Sequence, residues 1–231
     1  MSETARSRAR LGGRPAQISL EDIERAALDI GLSRLTVQGV ATALGVTPTA
    51  LYRHVDGKLG LERLVGEAVL AGLQLVDEPA DTAPEYLLSL AHQLRTFTLA
   101  HPGMTAYLQS IFPRGESGAR LMRSGIESLV RRGYTPDVAG VMCSGVATVA
   151  IALAAAEERQ EGYAASREHE AAEAAMASDA VLAAFQDGVP AIDFEMYFRM
   201  VLTAFIQGLT TAAPTGRPLP EILQSLGFEP S

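Results

Sequence analysis

Residues Leu35–Val65 read LTVQGVATALGVTPTALYRHVDGKLGLERLV. The apolar residues of the first part recur at the spacing of one helical face: Val37, Val40, Ala41 and Leu44. Thr36 precedes them in the N-cap position, and Gly45 interrupts the helix. Thr47 then caps a second short helix that opens at Pro48, since the first helical position needs no N–H donor. Two short helices around a tight turn predict a helix-turn-helix.

The predicted turn brings its two helices close together. Ala41 is small, and Gly45 can adopt the left-handed conformation that the turn requires. Val46 fills the space between the helices, while Leu51 and Val55, four residues apart, face the first helix. The side chains left outside carry no carboxylate: Thr47, Thr49, Ala50, Arg53 and His54. Such a surface fits a DNA major groove; the alternative is an ordinary helical hairpin in a core.

The rest of the chain has helical periodicity as well. A capped helix is predicted over 20–30, between Ser19 and Gly31, and another over 58–76. Further helices are predicted at 85–100, 104–111, 116–132, 136–159, 192–211 and 220–226. Residues 160–190 are rich in Ala and Glu and fit either a solvated helix or a loop. We therefore predict an all-α chain with a basic arm (1–18), a three-helix head (19–65) and a larger helical body (66–231).

Charge is distributed unevenly along the chain. The 231 residues carry a net charge of −8. Residues 1–64 hold nine basic and seven acidic side chains, whereas residues 65–231 hold ten and twenty. A basic contact surface joined to an acidic remainder favours a nucleic-acid partner, although the basic arm alone also fits a solvated tail.

Composition also indicates the compartment. A single cysteine, Cys143, excludes an intramolecular disulfide and a multi-cysteine zinc site. The first twenty residues lack the apolar stretch of a secretory signal. The apolar segment Val138–Ala156 is interrupted by Gly140, Ser144 and Gly145, so we expect no membrane-spanning helix. These features predict a cytoplasmic globular protein that does not contact a membrane.

A second pattern in the helix-turn-helix stretch is Leu51-Tyr52-x-His54-Val55-x-x-Lys58. Together with the amphipathic helix Leu20–Ile30 before it, this stretch resembles the DNA-binding domain of the tetracycline-repressor (TetR) family of transcriptional regulators. The resemblance implies contacts with DNA phosphates from five residues: Thr36, Thr47, Tyr52, His54 and Lys58. Half of the Tyr52 ring is expected to pack inside the head.

The same resemblance implies contacts with base edges from the two helices of the motif: Gln38, Pro48, Thr49, Ala50 and Arg53. Gln38 has the groups to pair with adenine, and Arg53 those to pair with guanine. Arg14, at the end of the basic arm Arg6–Arg14, would contact the minor groove or the DNA backbone.

Residues Arg132–Gln160 and His101–Leu108 resemble, more loosely, the ligand-binding and dimerisation domain of that family. In its tetracycline-binding branch a histidine binds a magnesium–drug complex. That position falls at or near Tyr107 here, so we expect no metal, no cofactor and a small, apolar effector instead. The candidate effector contacts, which fit a plain core equally well, are His92, Phe97, His101, Met104, Tyr107, Leu108, Met122 and Met142. Glu157 or Glu158 lies near such a pocket or at a solvated helix end.

Two apolar stripes at near-heptad spacing fit a homodimer. The first, on the 136–159 helix, comprises Val138, Met142, Gly145, Val149 and Leu153. The second, on the 192–211 helix, comprises Phe194, Phe198, Val201, Phe205 and Leu209. Two such helices from each of two subunits form a four-helix bundle, unless the stripes belong to the core of one subunit.

These features together predict a ligand-responsive transcriptional regulator. We expect a repressor that binds a palindromic double-stranded DNA operator as a homodimer and is released by a small molecule. The alternative is a constitutive DNA-binding dimer without an effector. An all-α enzyme is disfavoured, because the chain has no glycine-rich phosphate loop and no HExxH or GxSxG motif.

Overall fold

The computed structural model describes residues 18–111, 115–163, 166–188 and 192–228. Within these ranges the chain is helical and contains no β-strand, which confirms the all-α prediction. The α-helices are α1 (Leu20–Ile30), α2 (Val37–Ala43), α3 (Pro48–Leu51), α4 (Gly57–Ala71), α5 (Ala83–Ala100), α6 (Met104–Ile111), α7 (Glu116–Arg131), α8 (Pro136–Tyr163), α9 (Arg167–Ser178), α10 (Ala180–Gly188), α11 (Phe194–Ala212) and α12 (Leu219–Ser225). A single 3-10 turn, Leu32–Arg34, follows α1.

The head has a hydrophobic core of its own. The predicted capping box starts α1: the Ser19 hydroxyl accepts from the Asp22 N–H at 3.1 Å, and Asp22 Oδ2 accepts from the Ser19 N–H at 3.0 Å. The helix ends at Gly31, whose φ of 78° suits glycine. The buried core residues of the head are Ile23, Ala27, Leu35, Val40, Ala41, Leu51, Leu61 and Val65.

Two helices of the head are shorter than predicted. The helix α3 is one turn that ends at Leu51, and irregular turns carry the chain to Val55. The helix α4 ends at Ala71 instead of residue 76. Arg120 of α7 donates to the carbonyl oxygens of Leu70 and Leu73 there, at 3.0 and 3.1 Å. Because a side chain fifty residues downstream satisfies the terminal carbonyls, local sequence did not reveal this end.

The body is built around α8. The helices α5, α6, α7 and α11 all pack against it. A capping box starts α5, in which Glu85 accepts from both the N–H and the hydroxyl of Thr82, at 2.8 and 2.6 Å. The largest fully buried side chains of the body are Tyr86, Leu87, Met104, Leu129, Met142, Phe198, Leu202 and Ile206.

The helix α8 is longer and more apolar than the prediction of no membrane-spanning helix assumed. Over Pro136–Gln160 it is long and apolar enough to cross a membrane by length and composition alone, despite the interruptions at Gly140 and Gly145. Burial accounts for this composition, because 56% of its most apolar window lies inside the protein. A helix surrounded by four others is hydrophobic around most of its circumference.

The helix α4 joins the two cores. Val65 belongs to the core of the head and Leu70 to the core of the body, and both lie in this one continuous helix. The predicted domain boundary between residues 65 and 66 therefore falls inside α4. Any rotation of the head relative to the body must involve α4 or its contacts.

The two stripes predicted as a dimer seam are only partly buried within one subunit, so the dimer seam stays a prediction. Val138, Met142 and Phe198 are buried in the core of the body. Phe205 lies against Gly145, with its Cζ 3.4 Å from the position that a Cβ there would take. The stripes pack partly against each other because α8 and α11 are neighbours in the same chain. The other seven stripe residues keep part of their surface exposed.

The described part of residues 160–190 forms the helices α9 and α10, where the sequence fitted either a solvated helix or a loop. Both are helical, and α9 has no buried residue. Their principal contacts are with each other. The solvated-helix interpretation is therefore correct for the described residues, and α8 extends to Tyr163.

Candidate DNA-binding surface and effector domain

The helix-turn-helix has the predicted packing. Val40, Ala41 and Leu51 are fully buried between α2 and α3. Gly45 has a φ of 66°, and the Val46 N–H donates to the Ala41 carbonyl at 3.0 Å, which closes the turn. A side chain at position 45 would be strained by this left-handed backbone. The turn therefore holds α3 at a defined angle to α2.

The two predicted N-caps differ in the structure. The Thr36 hydroxyl accepts from the Gly39 N–H at 2.9 Å and caps α2. A Cβ at position 39 would stand 2.9 Å from that hydroxyl oxygen, so glycine leaves room for the cap. The Thr47 side chain makes no capping hydrogen bond to α3, which is a correction. Its hydroxyl is exposed beside the helix start instead.

The predicted DNA-contacting residues are all accessible where the structure describes them. Eight of them are exposed: Thr36, Gln38, Thr47, Thr49, Tyr52, Arg53, His54 and Lys58. Pro48 and Ala50 are partly exposed. Tyr52 is 59% exposed, more than predicted, because only its ring edge approaches Gly57 at the start of α4. Arg14 lies outside the described residues.

Lys58 has a neighbour that the sequence pattern did not reveal. Its ammonium lies 3.2 Å from Glu62 Oε1, one helical turn along α4. The Lys58 side chain is 63% exposed, so this ion pair is weak and leaves the ammonium free to bind a phosphate.

The structure does not gather the predicted effector contacts around one cavity. Four of them lie in the packed core of the body: Met104, Tyr107, Leu108 and Met142. Phe97 and Met122 pack against that core and are partly exposed. An apolar cavity between α5, α7 and α8 contains Met122 alone of this set, whereas Tyr107 lines a different cavity beside Lys58 and Glu62. The other seven residues remain predictions.

The two candidate histidines have partners elsewhere. His101 Nδ1 lies 2.7 Å from the Phe97 carbonyl oxygen. His92 Nδ1 lies 3.6 Å from Glu195 Oε1, and its ring packs against Phe198 with the ring centres 5.2 Å apart. Burial lowers the pKa of His92, and the Glu195 carboxylate opposes that shift. Neither histidine lines the cavity that contains Met122.

A buried ion-pair cluster joins α5, α8 and α11. Arg95 donates to both Glu157 oxygens, at 2.7 and 2.6 Å, and also pairs with Glu195. The hydrogen bond that Arg95 donates to the Glu157 carboxylate is the main cause that raises the pKa of Arg95. Glu157 is therefore buried and paired, contrary to the solvated helix end that the sequence suggested. Since the partners are up to 100 residues apart, no local pattern indicated this cluster.

Glu158 also turns inward. Its Oε2 accepts from the Thr105 hydroxyl at 2.6 Å, and its Oε1 lies 3.4 Å from the Gly103 nitrogen. Thr105 itself is buried. The end of α8 is thus tied to the start of α6.

The junction of head and body is centred on Glu67 of α4. Its Oε2 accepts from the Ser117 N–H at 2.7 Å, near the N-terminus of α7, where a carboxylate is favourable. The Tyr107 hydroxyl donates to its Oε1 at 3.3 Å. The pKa of Tyr107 is raised to about 12, mainly by burial and next by the charge of the Glu67 carboxylate. The Tyr107 ring lies directly on Gly66, where a Cβ would stand only 2.3 Å from Cζ.

Residues 76–213 match the family model described as tetracyclin repressor-like, C-terminal domain. The chain belongs to the tetracycline-repressor (TetR) family. Members of this family are transcriptional regulators, soluble and cytoplasmic, and generally not enzymes. The resemblance of the head to the DNA-binding domain of the TetR family agrees with this match to the body.

Individual relatives of this TetR-family protein are distant. The nucleoid occlusion factor SlmA of Vibrio campbellii (strain ATCC BAA-1116) is 32% identical over 83 residues, which are 34% of this chain and 42% of SlmA. The match thus spans less than half the length of that curated relative. Apo ActR from Streptomyces coelicolor has a TM-score of 0.69 at 23% identity and covers 85% of this chain and 96% of its own. ActR in complex with actinorhodin also has a TM-score of 0.69 at 23% identity. That match covers 86% of this chain and 98% of the ActR chain. These likenesses indicate a shared fold.

The resemblance to the tetracycline-binding branch predicts that the position of its magnesium-binding histidine falls at or near Tyr107. Tyr107 is buried against Gly66 and bonded to Glu67. Among the described residues, no group of three or more His, Cys, Asp or Glu side chains is arranged to hold a metal ion.

Proposed function

We propose that this TetR-family protein is a DNA-binding transcriptional repressor. The observation that carries the proposal is the surface of the helix-turn-helix. Leu51 is fully buried beneath it, whereas the next three residues, Tyr52, Arg53 and His54, are exposed. A buried anchor beside adjacent exposed polar groups orients the motif and leaves its polar side chains for a partner.

The proposed contacts divide into two sets. Phosphate contacts come from Thr36, Thr47, Tyr52, His54 and Lys58, with Arg14 added from the basic arm. Base-edge contacts come from Gln38, Pro48, Thr49, Ala50 and Arg53. The first set supplies affinity that falls as salt rises, because each neutralised phosphate releases counterions. The second set supplies sequence preference.

The proposed homodimer uses exposed faces of α8 and α11. Apolar side chains remain exposed on α8 at Val141 and on α11 at Met196 and Met200, with exposures of 49%, 55% and 52%. Thr148 and Ala204 continue these faces as small exposed residues. The two helices are neighbours in the body, with Phe205 of α11 lying against Gly145 of α8. A second copy on these faces would complete a four-helix bundle and duplicate the head for a palindromic operator.

We further propose that a small molecule bound in the body releases the DNA. Contacts between α4 and the helices α6 and α7, centred on Glu67, offer a route by which a shift in the body reaches the head. The ActR–actinorhodin complex is a ligand complex of a protein with the same fold. The effector must bind the two arrangements of the heads with different affinities.

A constitutive DNA-binding dimer is the second candidate function. It is favoured by the small size of the apolar cavity that contains Met122, about 20 Å³, which leaves the core of the body nearly filled. In this case the body would serve dimerisation alone. We expect no catalytic activity under either proposal.

The experiment is a mobility-shift assay on the DNA that flanks the coding region of this protein. Tyr52→Ala should weaken binding to all sequences about equally, since it removes a phosphate contact. Arg53→Ala should also relax the preference at one base pair, by about 1–3 kcal/mol. Arg25→Ala, which removes an exposed arginine of α1, is the matched control.

Three outcomes would contradict the proposal. Unchanged operator affinity in both Tyr52→Ala and Arg53→Ala would exclude the docking. A monomer by light scattering at micromolar concentration, for the whole chain, would exclude the paired heads. A ligand panel that never changes the shift would favour the constitutive candidate.

A further inference from the structure

The body contains a buried tyrosine hydroxyl without a hydrogen-bond partner. Tyr86 of α5 is 1% exposed, and its oxygen has no partner among the described residues. The neighbouring Ser128 hydroxyl already donates to the Ser124 carbonyl at 2.9 Å and accepts from Arg131 at 3.1 Å. No hydrogen bond of normal geometry joins Ser128 to the phenol. Unpaired buried polar groups are rare because they lose hydration without compensation.

The Tyr86 ring is held in place from one side. The Arg132 guanidinium lies over it, 4.6 Å from the ring centre. Arg132 is itself fixed by hydrogen bonds to Asp77 Oδ1 at 2.7 Å and to the carbonyl oxygens of Asp81 and Ser128, both at 2.9 Å. A ring clamped in this way cannot turn its hydroxyl out to water.

The hydroxyl lies behind Gly125, which lines an apolar cavity between α5, α7 and α8, and Tyr86 itself is outside that lining. The cavity is lined by Leu75, Leu90, Leu94, Leu121, Met122, Gly125, Cys143 and Ala147. A Cβ at position 125 would stand 3.7 Å from the Tyr86 oxygen and 3.1 Å from Cys143 Sγ. Glycine therefore keeps open the part of the cavity wall that is nearest to the phenol.

We propose that this cavity is the effector site, and that it takes a small, uncharged, largely apolar molecule with one hydrogen-bond acceptor that binds the Tyr86 hydroxyl. This inference rests on the proposed effector response. No charged side chain lines the cavity among the described residues. An ionised ligand would lose its hydration without gaining an ion pair, so the site excludes it.

The ionisation states agree with this assignment. Burial raises the pKa of Tyr86, so the phenol remains protonated and donates a hydrogen bond. Burial raises the pKa of the Cys143 thiol to about 12, which keeps this wall of the cavity uncharged.

Ligand entry requires the cavity to expand. Its volume of about 20 Å³ has room for about one water molecule. Leu75 and Met122 are only partly buried, and methionine adapts to irregular ligands. Three cavity residues, Leu121, Met122 and Gly125, belong to α7. The same helix contacts α4 twice: Arg120 donates to the Leu70 carbonyl, and the Ser117 N–H donates to Glu67. A displacement of α7 would therefore shift α4, the helix that connects the body to the head.

The test compares two probes of nearly equal shape, acetophenone and α-methylstyrene, which differ in a carbonyl oxygen against a methylene. Titration calorimetry on the whole chain without DNA should give acetophenone about three- to tenfold higher affinity, the value of one hydrogen bond. Tyr86→Phe should remove this preference. Gly125→Ala, which places a methyl group in the cavity, should weaken both probes at least tenfold.

A stability readout separates this role from a structural one. Tyr86→Phe should raise the melting temperature of the ligand-free protein, because it removes an unpaired buried hydroxyl. A phenol with a structural hydrogen bond would lower it instead. Tyr134→Phe, at another buried tyrosine of the body that is not among the atoms nearest to Gly125, is the matched control and should leave the probe preference unchanged.

The inference is overturned if neither probe binds the folded protein at millimolar concentration, or if Tyr86→Phe keeps the preference for acetophenone. The inference is also overturned if Gly125→Ala binds both probes as tightly as the wild type and still unfolds in a cooperative melting transition. DNA binding is measured separately. Probe binding without any operator binding would leave the cavity assignment intact and refute the proposed regulator.

Discussion

The head and the body are both helical, but only the body buries polar side chains among the described residues. The core of the head spans residues 23–65, and all of its buried members are apolar. The body buries an arginine–glutamate pair 62 residues apart, Arg95 and Glu157, as well as the Tyr86 hydroxyl. The head thus leaves its polar groups available for an external partner. The body buries polar groups in its interior, and its arginine–glutamate pair depends on a distant segment of the chain.

The largest expected effect is Leu51→Ala in the head. It removes a fully buried side chain, and the cavity left behind should lower the free energy of unfolding by about 4 kcal/mol. Native-state hydrogen exchange should show faster exchange in α1 to α3 and unchanged protection in α8. Tyr52→Ala, next to it but exposed, should change stability by less than about 0.5 kcal/mol. Equal loss of protection in α8 would mean that the two cores unfold as one unit.

The next effect is Glu157→Gln in the body. Both side chains of the pair are nearly buried, 14% exposed for Arg95 and 11% for Glu157. Loss of one partner should cost about 3 kcal/mol by chemical denaturation, the low end for a buried pair, because Glu195 remains. Glu168→Gln on the exposed helix α9 is the control. The double variant Arg95→Met with Glu157→Leu removes both charges. If it is no more stable than Glu157→Gln, the loss of stability in Glu157→Gln does not come from an unpaired charge on Arg95.

A smaller effect is expected at the junction, from Gly66→Ala. The added Cβ would overlap the Tyr107 ring, which should lower stability by about 2 kcal/mol through displacement of α6 from α4. Gly60→Ala in the same helix meets no atom closer than 3.4 Å and should be neutral or stabilising by up to about 1 kcal/mol. Thermal unfolding of both variants checks the contrast. Similar melting temperatures would show that the ring moves aside without cost.

The smallest expected effect is the acid sensitivity of the body. Burial acts to raise the pKa of Asp77, but the hydrogen bonds and charges of Arg132 and Arg131 oppose it, and the pKa is lowered to about 2. A lowered carboxyl pKa stabilises the fold at neutral pH, and this contribution of about 1–2 kcal/mol should be lost as the pH falls from about 5 to about 2. Asp77→Asn should flatten the pH dependence of unfolding over that window. The prediction is contradicted if the stability of Asp77→Asn falls with pH as steeply as that of the wild type. It is also contradicted if Asp29→Asn, in the head, flattens the pH dependence equally.

The sequence predicted the parts of the head that depend on neighbours a few residues apart. The Ser19–Asp22 capping box, the Thr36 cap and the left-handed Gly45 are all present. The effector contacts were harder to predict, because the large apolar residues of α5 to α8 all have the same helical periodicity. Only the packing shows that Met122 lines the apolar cavity and that Met104 and Met142 are surrounded by core.

From the sequence alone came the helical class, the helix-turn-helix and the family, since helix periodicity, caps and turns are determined by residues three to seven positions apart. The tertiary structure decided the end of α4 at Arg120, the pairing of Arg95 with Glu157 and the unpaired Tyr86 hydroxyl beside Gly125. These features join residues about 40 to 60 positions apart in the chain, and their energies depend on distance and burial, which no local pattern specifies.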